Sequence, residues 1–464
     1  MHDQPHLLPS SRRGVNKSSP SFRQWRSALM TAALASAVGC AADPSETPPD
    51  MTADQSVNAR TLSTALPWLP AVRARLNQVL ASYGATSRTY DVAQRPVAVF
   101  DWDNTVLKND IGDAVLFWMI RNGRVLQPPQ KNWRLTSPYL TVEAAAALDK
   151  ACGPLAAAGS PLPTATDVPC ATELVTLYTK AKTVDGKAGF AGWNYRRLEP
   201  TYAWAAQLQA GYTAAESQDF ARQALEEGLA AKQGAVQKIG SVDGLTAWVR
   251  IYEQQKDLIA NLKASGFEVW VVSASPEPWV IAAAARVDIA ADHVIGIRMR
   301  SEQGKLTSNL QGCGDIPDGE NDGAGVFKGN SLITYIDGKR CFINKVIYGD
   351  GTALALQRNA DAKKRPVLAA GDSDTDVTFL QDATAVKLVM NRHKKEVMCN
   401  ALQSLGGKWL LHPLFIEPSA MPGLSYKCSV DACKDASGAA APCRDEDGAV
   451  IPDQSEPVTT DLPQ

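Results

Sequence analysis

Short apolar runs, separated by stretches with helical periodicity, dominate the pattern of this chain. Residues 97–100, 269–272 and 367–370 are such runs, each bounded by polar or turn-forming residues. Runs of this length are typical of strands buried on both faces. Apolar residues at helical spacing predict a helix over residues 64–85, before the first run. Strands alternating with helices predict an α/β fold with a parallel sheet covered by helices on both faces.

The sequence between the first two predicted strands differs in composition from the rest and is rich in Ala, Leu and Gln. Residues 112–263 therefore predict a mostly helical insertion of domain size. Residues 294–306 alternate around Gln303-Gly304, which predicts a hairpin. The sequence from 418 to 464 has little apolar content and predicts a Cys-bearing, largely disordered tail.

Composition narrows the class of function. The 464-residue chain has a formal net charge of -2, with 45% hydrophobic and 21% charged residues. Nucleic-acid binding requires a basic surface, so this balance argues against a nucleic-acid partner. The sequence leaves the oligomeric state open.

The first 40 residues predict an export signal. Arg23 and Arg26 precede an apolar run over residues 28–38 that is too short to span a bilayer. The run ends at Cys40 in a pattern that resembles a bacterial lipobox. A plain signal peptide that is cut near Ala41 or Ala42 is the alternative. We expect an exported protein of the periplasm or cell envelope, anchored to a bacterial membrane by a lipid on Cys40, with residues 41–63 as a tether.

Eight cysteines remain after Cys40, an even number that suggests disulfides in an exported chain. Cys152 with Cys170, and Cys313 with Cys341, are the local pairings that we expect; the remaining connectivity stays open. No CxxC pair is present, so a zinc site has little support.

Polar side chains follow three of the predicted strands at the point where each strand ends. Asp101 and Asp103 follow the first, Ser273 the second, and Asp372 and Asp376 the third. Parallel strands deliver their carboxyl ends to one edge of the sheet, where ligands bind. Four carboxylates at one edge are unfavourable unless a cation neutralises them or protons are shared, and Mg²⁺ with its preference for oxygen ligands is the natural cation. A carboxylate there could attack phosphorus, and a second could transfer the proton.

These motifs resemble the haloacid dehalogenase superfamily in its phosphoserine-phosphatase-like branch. The resemblance rests on FDWDNT, VWVVSAS and GDSDTD, which occur in the family's order and each follow an apolar strand. It implies a discontinuous Rossmann-like core over residues 64–111 and 264–417, with residues 112–263 as a helical cap that covers the site.

The resemblance also implies a role for each motif residue. Asp101 would be the nucleophile, and Asp103 the general acid and base. Ser273 would bind phosphate. Metal ligands would be Asp101, Asp103 through its backbone carbonyl, Asp372, and Asp376 through water or by orienting its neighbours. Thr105 would support the loop.

The family's lysine motif is the least defined. We predict Lys345 as the phosphate-binding lysine, which requires an insertion over residues 349–364 before Asp372. Lys339 is the alternative, and Lys328 a more distant one.

The resemblance implies a Mg²⁺-dependent phosphatase that acts on a small phosphomonoester. Dehalogenases of this superfamily lack the second aspartate, whereas Asp103 is present here. A mutase or phosphotransferase, and a catalytically silent surface binding protein, are the alternatives. Several tryptophans lie in or beside the cap, where they either pack its core or attract a quaternary ammonium group. The second role fits a resemblance to exported phosphorylcholine phosphatases. Phosphorylcholine and phosphoserine are therefore candidate substrates. These tryptophans are Trp118, Trp133, Trp193, Trp204 and Trp248.

Overall fold

The computed structural model describes residues 59–313 and 332–459. The helices of this part are α1 Pro70–Tyr83, α2 Ile111–Arg121, α3 Val142–Cys152, α4 Val168–Lys180, α5 Pro200–Gln207, α6 Ala214–Ala230, α7 Glu253–Ala264, α8 Glu277–Ala284, α9 Asp337–Val346, α10 Val377–Asp382 and α11 Lys395–Gln403. Its strands are β1 Val97–Phe100, β2 Leu107–Lys108, β3 Val236–Ile239, β4 Val242–Thr246, β5 Arg250–Ile251, β6 Glu268–Pro276, β7 Val294–Ile297, β8 Met299–Glu302, β9 Lys305–Leu310, β10 Leu368–Gly371, β11 Val386–Asn391, β12 Trp409–Pro413, β13 Met421–Pro422, β14 Ser425–Tyr426, β15 Cys433–Lys434, β16 Ala440–Ala441, β17 Gln454–Ser455 and β18 Val458–Thr459.

A six-stranded parallel sheet in the order β12-β11-β10-β1-β6-β7 forms the centre of the fold. Strand β1 is fully buried, and its Val99 pairs with Ala369 on one side and Trp270 on the other. This register aligns the carboxyl ends of β1, β6 and β10. The predicted α/β class with a Rossmann-like parallel sheet is therefore confirmed.

Local sequence signals explain where two of the helices begin. Helix α1 begins with Pro70, whose fixed φ suits the first helical position, so the observed helix is shorter than the predicted residues 64–85. Helix α6 begins with a capping box in which Thr213 and Glu216 satisfy each other's backbone N–H groups. Helix α1 packs on β12, whereas α6 packs on α8 beside the sheet.

The insertion between β1 and β6 combines helices with loops and short strands, so it is less helical than its periodicity predicted. It contains α2 to α6 and ends in the β3–β4 hairpin before α7. Helix α2 packs against α6, and α5 packs against β6 and β9. The insertion thus lies directly over the carboxyl end of the sheet. Its predicted limits at residues 112 and 263 stay a prediction.

The predicted hairpin after the second motif is present as β8 and β9. Its turn residues Gln303 and Gly304 have φ values of 51° and 79°. Positive φ at both central positions is the geometry that matches the twist of a two-residue hairpin. The predicted span began too early, because residues 294–297 form strand β7 of the main sheet.

Four disulfides connect the eight cysteines within the described part of the chain. The two predicted local pairs, Cys152–Cys170 and Cys313–Cys341, are confirmed. The other two are Cys399–Cys428 and Cys433–Cys443.

The prediction of a largely disordered tail is wrong for residues 418–459. This segment forms three short antiparallel pairs, β13 with β18, β14 with β17, and β15 with β16. The Cys399–Cys428 bond attaches it to α11, and Ile451 is fully buried. Disulfides replace the apolar core that the composition of this segment cannot supply.

No helix in the described ranges is both long and apolar enough to cross a bilayer. The predicted signal, Cys40 and most of the tether lie outside the described residues, as does Lys328.

His412, on edge strand β12, is buried in its neutral form. Its Nδ1 donates to the Pro413 carbonyl at 2.7 Å, and its Nε2 accepts the Leu69 backbone N–H at 3.0 Å. Burial lowers the pKa of His412 to about 4. The unfolded chain therefore binds an additional proton between the folded pKa and the usual value near 6.5, so stability falls as the pH is lowered through this window.

We predict that His412→Gln removes this part of the acid sensitivity. The wild-type free energy of unfolding should fall by about 1–2 kcal/mol more than that of the variant between about pH 7.5 and about pH 5. Urea unfolding at the two pH values measures this difference. His293→Gln, which removes a partly exposed histidine, is the control, and an equal pH dependence in wild type and His412→Gln would contradict the prediction.

Candidate functional site

The first carboxylates stand where β1 ends. The backbone N–H of Asp101 still donates to Ala370 at 2.8 Å, so the sheet fixes its position. The chain then turns sharply, with Asn104 at a φ of 59°. Thr105 donates its hydroxyl to Asp101 Oδ2 at 3.1 Å and lies 3.4 Å from Asp372 Oδ1. Thr105 thus supports the loop, as the resemblance implied.

The second acidic pair follows β10. Asp376 Oδ2 accepts the backbone N–H groups of Asp372 and Ser373 at 2.9 and 3.0 Å, which closes the loop after the strand. A Cβ at Gly371 would lie 2.6 Å from the Cβ of Asp376. Glycine is therefore required at this position for Asp376 to fold back under the loop.

These loops bring three carboxylates together. Oxygens of Asp101, Asp372 and Asp376 lie within 4.8 Å of one another, and all three residues are buried. The predicted convergence of the β1 and β10 ends is thus observed. The side chain of Asp103 is not part of this group, and its backbone carbonyl as a metal ligand stays a prediction.

Lys339, not Lys345, is the lysine of the site, which corrects our prediction. Lys339 Nζ donates to Asp101 Oδ1 and to Asp376 Oδ1, both at 2.6 Å, and its side chain is fully buried. Lys345 lies six residues further along α9, about 120° around the helix axis. Its Nζ lies 3.5 Å from the Gly312 carbonyl. The choice between the two lysines depended on where α9 begins, which the sequence left undefined.

Asp103 belongs to a hydrogen-bond network with the start of α2 and the end of β6. Its Oδ1 accepts the Ile111 N–H at the start of α2 at 2.7 Å. Its Oδ2 accepts the Ser275 hydroxyl at 2.7 Å and lies 3.3 Å from the Ser273 hydroxyl. Ser273, the predicted phosphate-binding residue, therefore lies at the site beside Asp103. The hydroxyl of Thr334 donates to the Ser273 carbonyl at 2.6 Å and holds the backbone there.

Burial disfavours the charged form of the carboxyl groups at the site and raises their pKa values. Burial and the neighbouring Asp376 raise the pKa of Asp101, while Lys339 opposes the shift. Burial and Asp110 raise the pKa of Asp103, and its hydrogen bonds from Ile111 and Ser275 oppose that change. Burial raises the pKa of Asp372 to about 6, although Arg392 lowers it. Burial alone would lower the pKa of Lys339, but the nearby carboxylates of Asp101 and Asp376 have the larger effect and raise this pKa.

Two residues of the site were not predicted from the sequence. Arg392 Nη1 donates to Asp372 Oδ2 at 2.5 Å, and Ser275 orients Asp103. Arg392 follows β11, so a search of every strand end, not only those with family motifs, could have found it. Ser275 lies two residues after Ser273, on the same face of β6.

The donor set fits a divalent cation. Three buried carboxylates face one another, and Lys339 and Arg392 are the cations that contact them in the described part of the chain. Hard oxygen donors at this spacing suit Mg²⁺. A bound Mg²⁺ would offset the remaining negative charge, and its ligands would come from Asp101 and Asp372, with Asp376 beside them.

Two connected spaces lie over the site. A small pocket of about 70 Å³ is lined by Asp101, Asp103 and Asp372. A larger cavity of about 460 Å³ extends from it between the core and the insertion. Tyr202 and Arg392 line both spaces. A phosphoryl group at Asp101 would therefore have its alcohol part directed toward the insertion.

Part of the chain matches a known protein family. Residues 189–325 match the family model described as haloacid dehalogenase-like hydrolase. None of the curated proteins compared with the sequence matches it.

Solved structures show a related fold. A conserved functionally unknown protein from Anaerococcus prevotii DSM 20548 is 20% identical, with a TM-score of 0.55 over 76% of this chain and 94% of its own. A protein of unknown function from Bordetella pertussis Tohama I is 14% identical, with a TM-score of 0.34 over 63% of this chain and 89% of its own. A phosphoserine phosphatase, solved as a phospho-aspartyl intermediate analogue, is 12% identical, with a TM-score of 0.29 over 64% of this chain and 87% of its own. The first similarity shows a shared fold, and the other two are too distant to show more.

We predict that Mg²⁺ stabilises the folded chain through this carboxylate group. A ligand that binds only the folded state at about 100 times its Kd adds about 2.7 kcal/mol to the free energy of unfolding. Millimolar Mg²⁺ should therefore raise the melting temperature of the wild type, and Asp372→Asn should abolish most of this increase. Differential scanning calorimetry with and without Mg²⁺ measures both. Asp350→Asn, which changes a partly exposed carboxylate outside the site, should respond to Mg²⁺ as the wild type does. An undiminished increase in Asp372→Asn would contradict the proposed ligand set.

Proposed function

We propose that the chain, whose residues 189–325 match the haloacid dehalogenase-like hydrolase model, is a Mg²⁺-dependent phosphatase of that superfamily that hydrolyses a small phosphomonoester. The observation that carries the proposal is the position of Asp101. It lies at the end of β1 in contact with Lys339, beside Asp372 and Asp376, with Asp103 two residues further on. This combination provides a nucleophile, charge neutralisation and a proton donor in one pocket.

In the first half-reaction Asp101 would attack phosphorus, forming an Oδ–P bond as the bond from phosphorus to the alcohol oxygen breaks. Lys339 holds the Asp101 carboxylate in place at 2.6 Å and balances charge on the phosphate oxygens. Bound Mg²⁺ would supply further neutralisation of the phosphate. Ser273, with its hydroxyl beside Asp103, would donate a hydrogen bond to the phosphate.

Asp103 would protonate the departing alcohol oxygen. Burial and Asp110 raise its pKa, which favours the protonated carboxyl group that a general acid requires. In the second half-reaction water would attack phosphorus and Asp103 would take its proton, releasing phosphate and the free Asp101 carboxylate. Hydrogen bonds from Ile111 and Ser275 hold Asp103 in position for both transfers.

Export and lipid attachment belong to the same proposal. The four disulfides support an oxidising location outside the cytoplasm, because such bonds are rare in reducing compartments. Attachment through Cys40 rests on the lipobox-like sequence alone. Phosphorylcholine and phosphoserine remain the candidate substrates that the sequence suggests.

We predict phosphate release from small phosphomonoesters in the presence of Mg²⁺. EDTA should abolish the release, and Asp101→Asn should reduce it by at least about a hundredfold because the covalent intermediate cannot form. Phosphorylcholine, phosphoserine and phosphoethanolamine form the first panel, with released phosphate as the readout. Activity that survives Asp101→Asn would exclude the aspartyl-phosphate route; binding without turnover across a broad panel would favour a silent binding protein.

A second prediction separates the two lysines of α9. Lys339→Met should lower kcat/KM by about a hundredfold or more, since it removes the charged donor from Asp101 and Asp376. Lys345→Met, on the same helix but outside the site, should change kcat/KM less than about twofold, as expected for a substitution away from the chemistry. Circular dichroism of both variants controls for folding. Equal losses in the two variants would show that Lys339 acts only through the stability of α9.

A further inference from the structure

A single cation of the described chain faces both spaces over the site. Arg392 lines the small pocket and the larger cavity, and no other basic residue among those described lines the small pocket. Lys339 also contacts Asp101, but its side chain has no exposed surface and both of its hydrogen bonds go to carboxylates. A phosphoryl group that enters the small pocket would therefore meet the guanidinium group of Arg392.

The guanidinium group of Arg392 has donors that the protein leaves available. Its Nη1 donates to Asp372 Oδ2 at 2.5 Å, and its remaining N–H groups donate to no residue that the structure describes. The side chain of Arg392 is 32% exposed, and a ligand in either space can reach it. Arginine presents its N–H groups in a planar fork that matches two oxygens of a phosphate. The available donors therefore suit a phosphoryl group.

The position of Arg392 relative to the reacting carboxylate fits such a contact. Oxygens of Asp101 and Asp372 lie within 4.8 Å of each other, and both residues line the small pocket together with Arg392. A nucleophile in a reactive position lies about 3–3.5 Å from the atom that it attacks. A phosphorus atom at this distance from Asp101 would place its oxygens in the space that Arg392 also lines.

The tail holds the backbone next to Arg392. The following residue, His393, has a φ of 56°, which a residue other than glycine adopts only where its surroundings hold it. Its Nδ1 lies 3.1 Å from Glu456 Oε2 and 3.4 Å from the Tyr426 hydroxyl. Glu456 has no exposed side-chain surface, and its Oε1 accepts the Leu424 backbone N–H at 3.1 Å. A buried carboxylate of the tail thus fixes the residue that follows Arg392.

We propose that Arg392 is a further catalytic residue that binds the phosphoryl group, and that His393 and Glu456 are positioning residues for it. This inference rests on the proposed phosphatase function and adds a phosphate-binding group to it. As the bond from Asp101 to phosphorus forms and the bond to the alcohol oxygen breaks, Arg392 would donate hydrogen bonds to the phosphoryl oxygens. It would keep its proton throughout, because Asp103 supplies the proton for the alcohol.

The test measures the Kd of inorganic phosphate by titration calorimetry at saturating Mg²⁺, and kcat/KM for phosphoethanolamine. Arg392→Met should weaken phosphate binding at least about tenfold and lower kcat/KM about a hundredfold, because it removes a charged donor. Arg392→Lys, which keeps the charge but not the planar fork, should lower kcat/KM about tenfold. Lys395→Met, an exposed basic residue that lines neither space, is the control and should leave both quantities unchanged.

A second set of variants tests the role of the tail. His393→Gly tolerates the positive φ and removes the contact with Glu456, so kcat/KM should fall about fivefold. His393→Asn also tolerates this φ and keeps a polar group near the position of Nδ1, so it should restore most of the activity. In the Arg392→Met background His393→Gly should have no further effect, because two residues that act through one contact are not additive. Equal losses in both backgrounds would overturn the positioning role.

The outcomes separate this inference from the proposed function. Unchanged phosphate binding and turnover in Arg392→Met and Arg392→Lys would overturn the role of Arg392, while the phosphatase function stands. Weaker Mg²⁺ binding in Arg392→Met, with normal phosphate binding once Mg²⁺ is saturating, would overturn it as well, since Arg392 would then act only through Asp372. Absence of phosphate release from every compound by the wild type would overturn the proposed function and this inference with it.

Discussion

The contact of one buried ammonium group with two buried carboxylates determines the arrangement of the site. Lys339 has no exposed side-chain surface, and neither has Asp376. Burying a charge is costly unless a partner of opposite sign lies within hydrogen-bond distance. The bridge from Lys339 to Asp101 and Asp376 satisfies this condition and connects α9 to the ends of β1 and β10. Asp372 is the third carboxylate of this group, and Arg392, which follows β11, donates a hydrogen bond to it.

Most of the fold could be predicted because its signals are local. The apolar runs of β1, β6 and β10 have the length of buried strands, and the order of the motifs fixes which ends meet. The residues Asp101, Asp103, Ser273, Asp372 and Asp376 follow directly from those runs, since a strand end determines the position of the next few residues. Two disulfides could be predicted in the same way, because their cysteines lie close to each other in the sequence.

The parts that could not be predicted depend on contacts between distant segments. Lys339 and Lys345 differ only in the helix face that they occupy, and that face depends on how α9 packs against the sheet. Arg392 follows a strand without a recognisable motif, so only its contact with Asp372 reveals its place. The order of the tail depends on Cys399–Cys428 and on the burial of residues such as Ile451, which a composition-based prediction of disorder does not include.

The insertion and the helix that carries Lys339 are also physically connected. Arg196, in the insertion, donates to Glu396 at 2.8 Å and lies 3.4 Å from Asp337, the first residue of α9. Its neighbour Tyr195 donates its backbone N–H to Ala436 of the tail at 2.8 Å. The insertion is thus attached both to the helix that carries Lys339 and to the disulfide-bonded tail. A shift of Arg196 would disturb the start of α9, so the contact of Lys339 with Asp101 depends on the position of the insertion.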